Sequence, residues 1–530
     1  MEITRQIKNL FKPLRTPKPL RLVVVIVSLW LLFAYNTPFL TEMWRALGEY
    51  SVSVVSLYAL IVIWLLVLNV LLISLCSIRF LFKPLIIILF FISTVLLFSN
   101  LSGKQYNPSA FNFSEWVEGG GRFLSFKFIS MLLGLWVAPS LILSKVKVDW
   151  GGLKKQSINY IFTIVLASLF LVFIYKLIED AVTPIYKSAR MTRSEVIPYH
   201  FIDSSNKYIQ QIWFSPVLNF TIFDKAPYIA RKSAPKTVLL IISKSIRSDL
   251  FNQIVLSEDK QVHSQTTSIE ACNTFSDSSL QCMFSLLSAP EYSELKASHQ
   301  QNLIDLLTLA GVNVFWLSNN QPCGIICQKS DIEERGVTCD QANCLDEQLF
   351  ANLLTDTLNN LNPAESNLIV IRTKAVGSPL YSKFYPIDYS KYTPECVTLL
   401  VRRCSDQALI NSYKNALLYL KSMLERAAAQ LFAFQSRHSS LEVSLIFTAE
   451  FGESLGEKGL YFHGTPKAIA PEEQLTVPIH IVDPRLPDNC LSQTHTNLTY
   501  NTIPHSLLGQ FHIKSKAYKR SFDIQNRCLN

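Results

Sequence analysis

The stretch TVLLIISKSIR, Thr237–Arg247, decides the fold of the larger part of this chain. Its first seven residues are a nearly continuous run of apolar and β-branched side chains, the pattern of a strand buried on both faces. Comparable strand candidates stand at Asn313–Ser318, Asn367–Thr373, Val443–Glu450 and Val477–Val482. Helical patterns at Gln301–Leu309, Asp346–Leu361 and Asp406–Phe434 lie between them. Buried strands separated by helices predict an α/β domain with a mainly parallel central sheet covered by helices. Ligands in such folds bind beyond the carboxyl ends of the strands. Here those ends are Ser243–Arg247, Arg372–Gly377 and Glu450–Glu453. No glycine-rich phosphate loop and no internal repeat accompanies them.

Upstream the composition changes. The chain of 530 residues has a formal net charge of +9, but residues 1–180 hold 17 Lys and Arg against 8 Asp and Glu, and the remainder holds 32 of each. All the excess positive charge therefore lies among the long apolar runs, which is a membrane signature and leaves no basic surface for nucleic acid. Five runs approach the length of about 20 residues that a bilayer requires: Leu22–Leu40, Ser51–Ile78, Pro84–Ser99, Phe128–Ser144 and Ile158–Tyr175. The loops rich in Lys and Arg are the amino-terminal stretch (Arg5 to Arg21), the turn with Arg79 and Lys83, and the turn from Lys145 to Lys155. By the positive-inside rule the amino terminus is expected in the cytoplasm and everything beyond the fifth span outside. The expected organisation is a five-span membrane domain (1–180), a periplasmic connector (181–235) and a periplasmic domain (236–530). Within the connector, Tyr208, Ile209, Ile212 and Trp213 form an amphipathic patch that suits either a membrane surface or the underside of the globular domain.

Cysteine placement agrees with an oxidising compartment. Of 11 cysteines, Cys76 lies in a span and the other ten lie beyond Glu270. Ten cysteines allow about 945 connectivities. Proximity in sequence favours Cys272–Cys282, Cys323–Cys327, Cys339–Cys344 and Cys396–Cys404, leaving Cys490–Cys528. A zinc ribbon built from Cys323, Cys327, Cys339 and Cys344 is the competing reading.

The strand ends carry a resemblance. LLIISKSIRSD (Leu239–Asp249), CNTFSDSSLQCMFS (Cys272–Ser285) and HQQNLIDLLTLAGVNVFW (His299–Trp316) resemble segments of the lipid A phosphoethanolamine transferases. This group includes the mobile colistin-resistance enzymes and belongs to the alkaline phosphatase and sulfatase superfamily. NCLDEQLF (Asn343–Phe350), KYTPEC (Lys391–Cys396) and FGESLGEKGLYFHGTPKAIAP (Phe451–Pro471) are similar as well, as is the five-span architecture. The resemblance implies a periplasmic zinc site that activates a threonine. That threonine takes phosphoethanolamine from phosphatidylethanolamine and passes it to a lipid A phosphate.

Transferred residue by residue, the implied site is depleted. Where the family has Gly-Glu-Thr-Ser-Arg with a zinc-binding Glu, this chain has Ser243-Lys244-Ser245-Ile246-Arg247. The nucleophile position is Ser276, which keeps a hydroxyl. The family's Asp-His ligand pair becomes Glu450-Phe451, so one carboxylate survives and the imidazole does not. Two further family histidines fall on Arg372 and Gly377, and a family lysine falls on Gly324. His463 remains, and with Asn319 it is a candidate substrate contact.

An ammonium has no lone pair for a metal, so no zinc is expected, and Lys244 is expected to neutralise Glu450 in its place. Arg247 is expected in a structural ion pair, and Glu453 and Ser454 in holding local backbone. The basic tail with Lys514, Lys516, Lys519 and Arg520 reads as a solvated face or a contact for anionic lipid. These readings point to an inner-membrane pseudoenzyme that binds a lipid (phosphatidylethanolamine or lipid A) or a partner, such as an active paralogue or an envelope protein. The alternative is a divergent transferase acting through Ser276.

Overall fold

The computed structural model describes residues 16–48, 54–101, 126–150, 153–188, 196–199, 219–230, 234–256, 264–274, 276–319, 323–336, 349–373, 376–377, 380–398, 401–487, 490–491 and 498–528. The chain divides into two compact units, Met1–Pro216 with Thr398–Leu400, and Val217–Val397 with Val401–Asn530. The connector residues Tyr208 to Trp213 lie outside the described residues.

The first unit is a helical membrane region. Its apolar helices are Leu20–Tyr35, Val54–Leu75, Phe82–Leu101, a segment running Phe126–Met131 and Ala138–Lys145 through a π-helical turn at Leu132–Val137, and Leu153–Ser188. Each expected span overlaps one of them, the first only as far as Tyr35. Among the described residues, three stretches are long and apolar enough to cross a membrane, Val55–Leu75, Phe128–Lys145 and Tyr160–Leu177, while Leu20–Tyr35 and Phe82–Phe98 are shorter. Outward residues such as Ile161, Leu169 and Phe173 are apolar and more than half exposed, as a lipid-facing surface requires.

The first expected span does not continue to Leu40 as one helix. Asn36 leaves the helical conformation, and a second helix, Thr37–Gly48, begins just after it. The Asn36 amide is used elsewhere: its Nδ2 donates to the carbonyls of Leu31 (2.9 Å) and Ile197 (2.8 Å), and its Oδ1 accepts from Ile197 N (2.9 Å). The π-helical turn is also used, because the Tyr35 hydroxyl donates to the Leu135 carbonyl inside it at 2.6 Å.

The second unit is built on a seven-stranded sheet. Its strands are β1 (Lys236–Ser243), β2 (Ser264–Glu270), β3 (Asn313–Ser318), β4 (Glu333–Gly336), β5 (Asn367–Thr373), β6 (Glu442–Ala449) and β7 (Thr476–Val482). Their order is β2-β7-β6-β1-β5-β3-β4, parallel from β6 through β4, with β7 antiparallel to both of its neighbours. Strand β1 sits at the centre, and every residue in it is buried. Helix Asp406–Ser436 buries one face among Leu409, Leu417, Leu420 and Leu431, and its cap residue Ser405 accepts from Ala408 N. Fully burying each such leucine contributes about 1.5–3 kcal/mol.

The register brings the strand exits to one level. Ser243 of β1 stands opposite Thr373 of β5 and Ala449 of β6, so these three strands end side by side. Disulfides join Cys272–Cys282, Cys323–Cys327 and Cys396–Cys404. Cys490 is also disulfide-bonded. Cys339 and Cys344, and the side chain of Cys528, lie outside the described residues.

Candidate functional site

The common end of β1, β5 and β6 brings the sequence candidates together. Lys244 follows β1 directly and is half-buried, and Glu450 follows β6 and is fully buried. Glu450 N donates to the Ser243 carbonyl at 2.8 Å, which ties the two strand exits together. The Glu450 carboxylate lies 2.7 Å (Oε1) from Nε of Arg372, a buried residue of β5. This pair reaches from β5 to β6 past the end of the strand between them. The sequence offers Lys244 as a cation for Glu450; the structure brings to the same carboxylate the guanidinium of Arg372 from β5, which the sequence reading did not pair with it. The signal is present in the chain, because Arg372 and Glu450 both stand at positions where the family resemblance implies site residues.

Aromatic rings pack at two further positions that the resemblance implies. Phe451 is fully buried, and its ring centroid lies 4.4 Å from that of His463. At Gly377 a Cβ would fall 2.1 Å from the Phe384 ring, so that ring fills the space a side chain at 377 would enter. Sequence reasoning missed Phe384, which lies seven residues further on, at the end of the 3-10 turn Tyr381–Lys383, in no recognisable motif.

His463 is held from below. Its Nδ1 lies 2.8 Å from Glu453 Oε2 and 3.3 Å from Ser245 Oγ, and the Tyr381 hydroxyl donates to the other Glu453 oxygen at 2.9 Å. Donation from Nδ1 to the carboxylate places the ring's lone pair on Nε2 in the neutral imidazole. Glu453 therefore does more than hold backbone: it orients the surviving histidine. Burial, with the Glu453 charge beside it, raises the Tyr381 hydroxyl well above its ordinary range and keeps it a proton donor.

The turn carrying Lys244 and Ser245 is fixed on both sides. Ser245 adopts a positive φ of 59°, uncommon for a residue with a side chain. The Tyr413 hydroxyl donates to the Ser245 carbonyl at 2.7 Å and accepts from Arg247 N at 3.0 Å, and Ile246 N donates to the Phe451 carbonyl at 3.0 Å. Arg247 is ion-paired with Asp249 (2.7 Å) and Glu457 (2.6 Å), the structural role expected of it.

Ser276 is the first residue of helix Ser276–Phe284, and its side chain lies outside the described residues. The loop before it is anchored by the Cys272–Cys282 disulfide and by Thr274 Oγ1 donating to the Thr465 carbonyl at 2.5 Å. Asn319, at the end of β3, is buried, and Gly324 opens a 3-10 turn behind Cys323. Among the described residues no three His, Cys, Asp or Glu side chains are grouped as a metal site would require.

A sulfatase family profile matches residues 236–513. The chain belongs to the sulfatase family. A profile for the phosphoethanolamine transferases EptA and EptB matches residues 117–212, and the chain is a phosphoethanolamine transferase-family member of that superfamily. It is 29% identical to phosphoethanolamine transferase EptA of Escherichia coli K12 over 326 residues, 57% of this chain and 58% of that protein, so it spans less than two thirds of that relative. It is 28% identical to phosphatidylethanolamine transferase Mcr-1 of Escherichia coli over 479 residues, 84% of this chain and 86% of that one. The integral membrane protein lipooligosaccharide phosphoethanolamine transferase A of Neisseria meningitidis shares the fold. Its TM-score is 0.59 at 23% identity, covering 95% of this chain and 98% of that one.

Proposed function

We infer that this member of the family does not transfer phosphoethanolamine by the metal-assisted route that the resemblance implies. It acts instead as a lipid- or partner-binding protein of the bacterial inner membrane, with its amino terminus in the cytoplasm and its sulfatase domain in the periplasm. The observation that carries this reading is the Arg372–Glu450 pair. The surviving carboxylate of the implied ligand set already has a cation 2.7 Å away, inside the protein.

The residues present do not suit zinc. Zinc takes four N, O or S donors. Lys244 offers an ammonium without a lone pair, and Phe451 offers a hydrocarbon ring. A dication placed beside both Lys244 and Arg372 would meet repulsion of several kcal/mol at about 4 Å and an effective dielectric near 20. Phe451 and Phe384 make the same region apolar, which further disfavours an unpaired charge there.

What remains is suited to binding. His463, oriented by Glu453, presents an imidazole, and Lys244 brings a cation to the turn immediately before Ser245. The ammonium is apt for an anionic headgroup such as a lipid phosphate, and the lone pair on Nε2 for an N–H donor of the same headgroup, held without being cleaved.

The competing reading is a divergent transferase that moves phosphoethanolamine from phosphatidylethanolamine to lipid A through Ser276, whose position opens a helix next to the Cys272–Cys282 bridge. Mass spectrometry of lipid A from cells with and without the full chain separates the two. Unchanged lipid A supports the binding role. Added phosphoethanolamine that disappears in Ser276→Ala overturns it.

A further inference from the structure

Two stretches far apart in the sequence share one face of the second unit. Tyr228 and Ile229 pair antiparallel with Lys514 and Ile513, and Ala230 N donates to the His512 carbonyl at 3.2 Å. Lys516 N donates to the Asp224 carboxylate at 3.0 Å. The two stretches expose Lys225, Lys514, Lys516, Lys519 and Arg520. Arg231 and Lys232 follow in the sequence directly after the first stretch. The acids against these cations include Asp224, bonded to the backbone N–H groups of Lys516 and Ala226, Glu291, which lies in the fields of Lys519 and Lys296, and the buried Asp523, in the field of Arg520, while Asp331 and Glu333 line one cavity with Phe220.

The same face carries apolar groups. Phe220, Ile222 and Tyr228 are 40%, 49% and 58% exposed, the Phe220 ring with the Lys329 ammonium over it at 3.2 Å. Directly opposed residues of an antiparallel pair project to one side, so Tyr228 and Lys514 are neighbours there. A face that is merely solvated intersperses both signs of charge and buries its aromatics. Exposed aromatic and aliphatic side chains among basic residues are the composition of a surface that rests on lipid headgroups. The partner is at hand, because the chain carries its own apolar helices in the other unit and Phe220 follows that unit's Pro216 by only four residues.

We propose that this face docks on the anionic phospholipid surface of the membrane that holds the chain's own helices. Each basic residue near such a surface strengthens the contact about fivefold. The exposed cations named above therefore give a strongly salt-dependent attachment, with Phe220, Ile222 and Tyr228 entering the headgroup layer.

Hydrogen–deuterium exchange on the full chain in lipid nanodiscs tests this. Discs of phosphatidylcholine alone are compared with discs that also contain phosphatidylglycerol. Peptides covering 219–230 and 512–520 exchange several-fold more slowly in the phosphatidylglycerol discs, and the difference disappears at high salt. The charge-reversed variant Lys514→Glu/Lys516→Glu/Lys519→Glu loses the difference while exchange in β1, β5 and β6 is unchanged, which separates lost docking from lost folding. Equal exchange in the two kinds of disc overturns the proposal. So does slowing that survives both salt and charge reversal.

Discussion

The guanidinium of Arg372 and the carboxylate of Glu450 form a buried ion pair, Nε to Oε1 at 2.7 Å, that joins β5 to β6 past the end of the strand lying between them. Breaking such a pair from one side strands a charge in the interior and costs about 3–5 kcal/mol, whereas replacing both partners by apolar groups is often neutral. Glu450→Gln and Arg372→Met each lower the Tm of the full chain sharply, and Arg372→Met/Glu450→Leu recovers most of the loss. Thermal unfolding of the four proteins in one detergent checks this. Additive losses in the double variant would show that the two groups are not coupled.

The same pair governs any attempt to rebuild a metal site. The variant Lys244→Glu/Phe451→His restores the two donors that the family resemblance implies, yet Arg372 still occupies Glu450. Zinc therefore binds weakly or not at all to that double variant, and binds when Arg372→His is added. Equilibrium dialysis with zinc on both variants reads the difference, and tight binding by the double variant alone would contradict it.

Gly377 has a packing reason to lack a side chain. Its Cβ would lie 2.1 Å from the Phe384 ring, so Gly377→Ala forces the ring aside and costs about 1–3 kcal/mol, the usual range for overpacking. Adding Phe384→Leu should recover part of that loss in chemical denaturation. An unchanged Gly377→Ala midpoint would mean the ring moves freely.

The strand candidates at β1, β3, β5, β6 and β7 match the structure to within a residue at either end, because each is a continuous apolar run that no helix period fits. Strands β2 (SQTTSIE) and β4 (EERG) are not legible in the sequence. Both are edge strands, where one side faces solvent and polar residues are tolerated, so the apolar signal is missing. The break at Asn36 is hidden for the opposite reason: apolar residues flank it, and its cause is a partner, Ile197, 161 positions away. In the site, the altered positions Lys244, Phe451 and Gly377 can be read along the chain. The contact of Arg372 with Glu450 depends on which strands become neighbours, and sequence order does not state that; Phe384 reaches Gly377 from only seven residues along the chain, through the 3-10 turn Tyr381–Lys383.

His505 gives the fold a pH dependence of known sign. It is buried, stacked on Phe522 at 5.4 Å, and its Nδ1 accepts from Lys519 N at 3.2 Å. Burial, and then the charge of Lys519, lowers its pKa from 6.5 to about 4. The folded state therefore favours the neutral ring, and this contribution is fully present above about pH 6.5. It is lost as pH falls toward 4, by an amount on the order of 2–3 kcal/mol. His505→Gln flattens the stability curve between those two values relative to the parent protein. An identical slope in both proteins would remove His505 as the cause.

We infer that an internal cation takes the place of the metal that the family resemblance implies. Elemental analysis of the full chain, purified from its membrane without chelator, tests it most directly. Zinc far below one ion per chain is expected, with a Tm unaffected by a chelator. One zinc per chain, lost on Glu450→Gln, would contradict it.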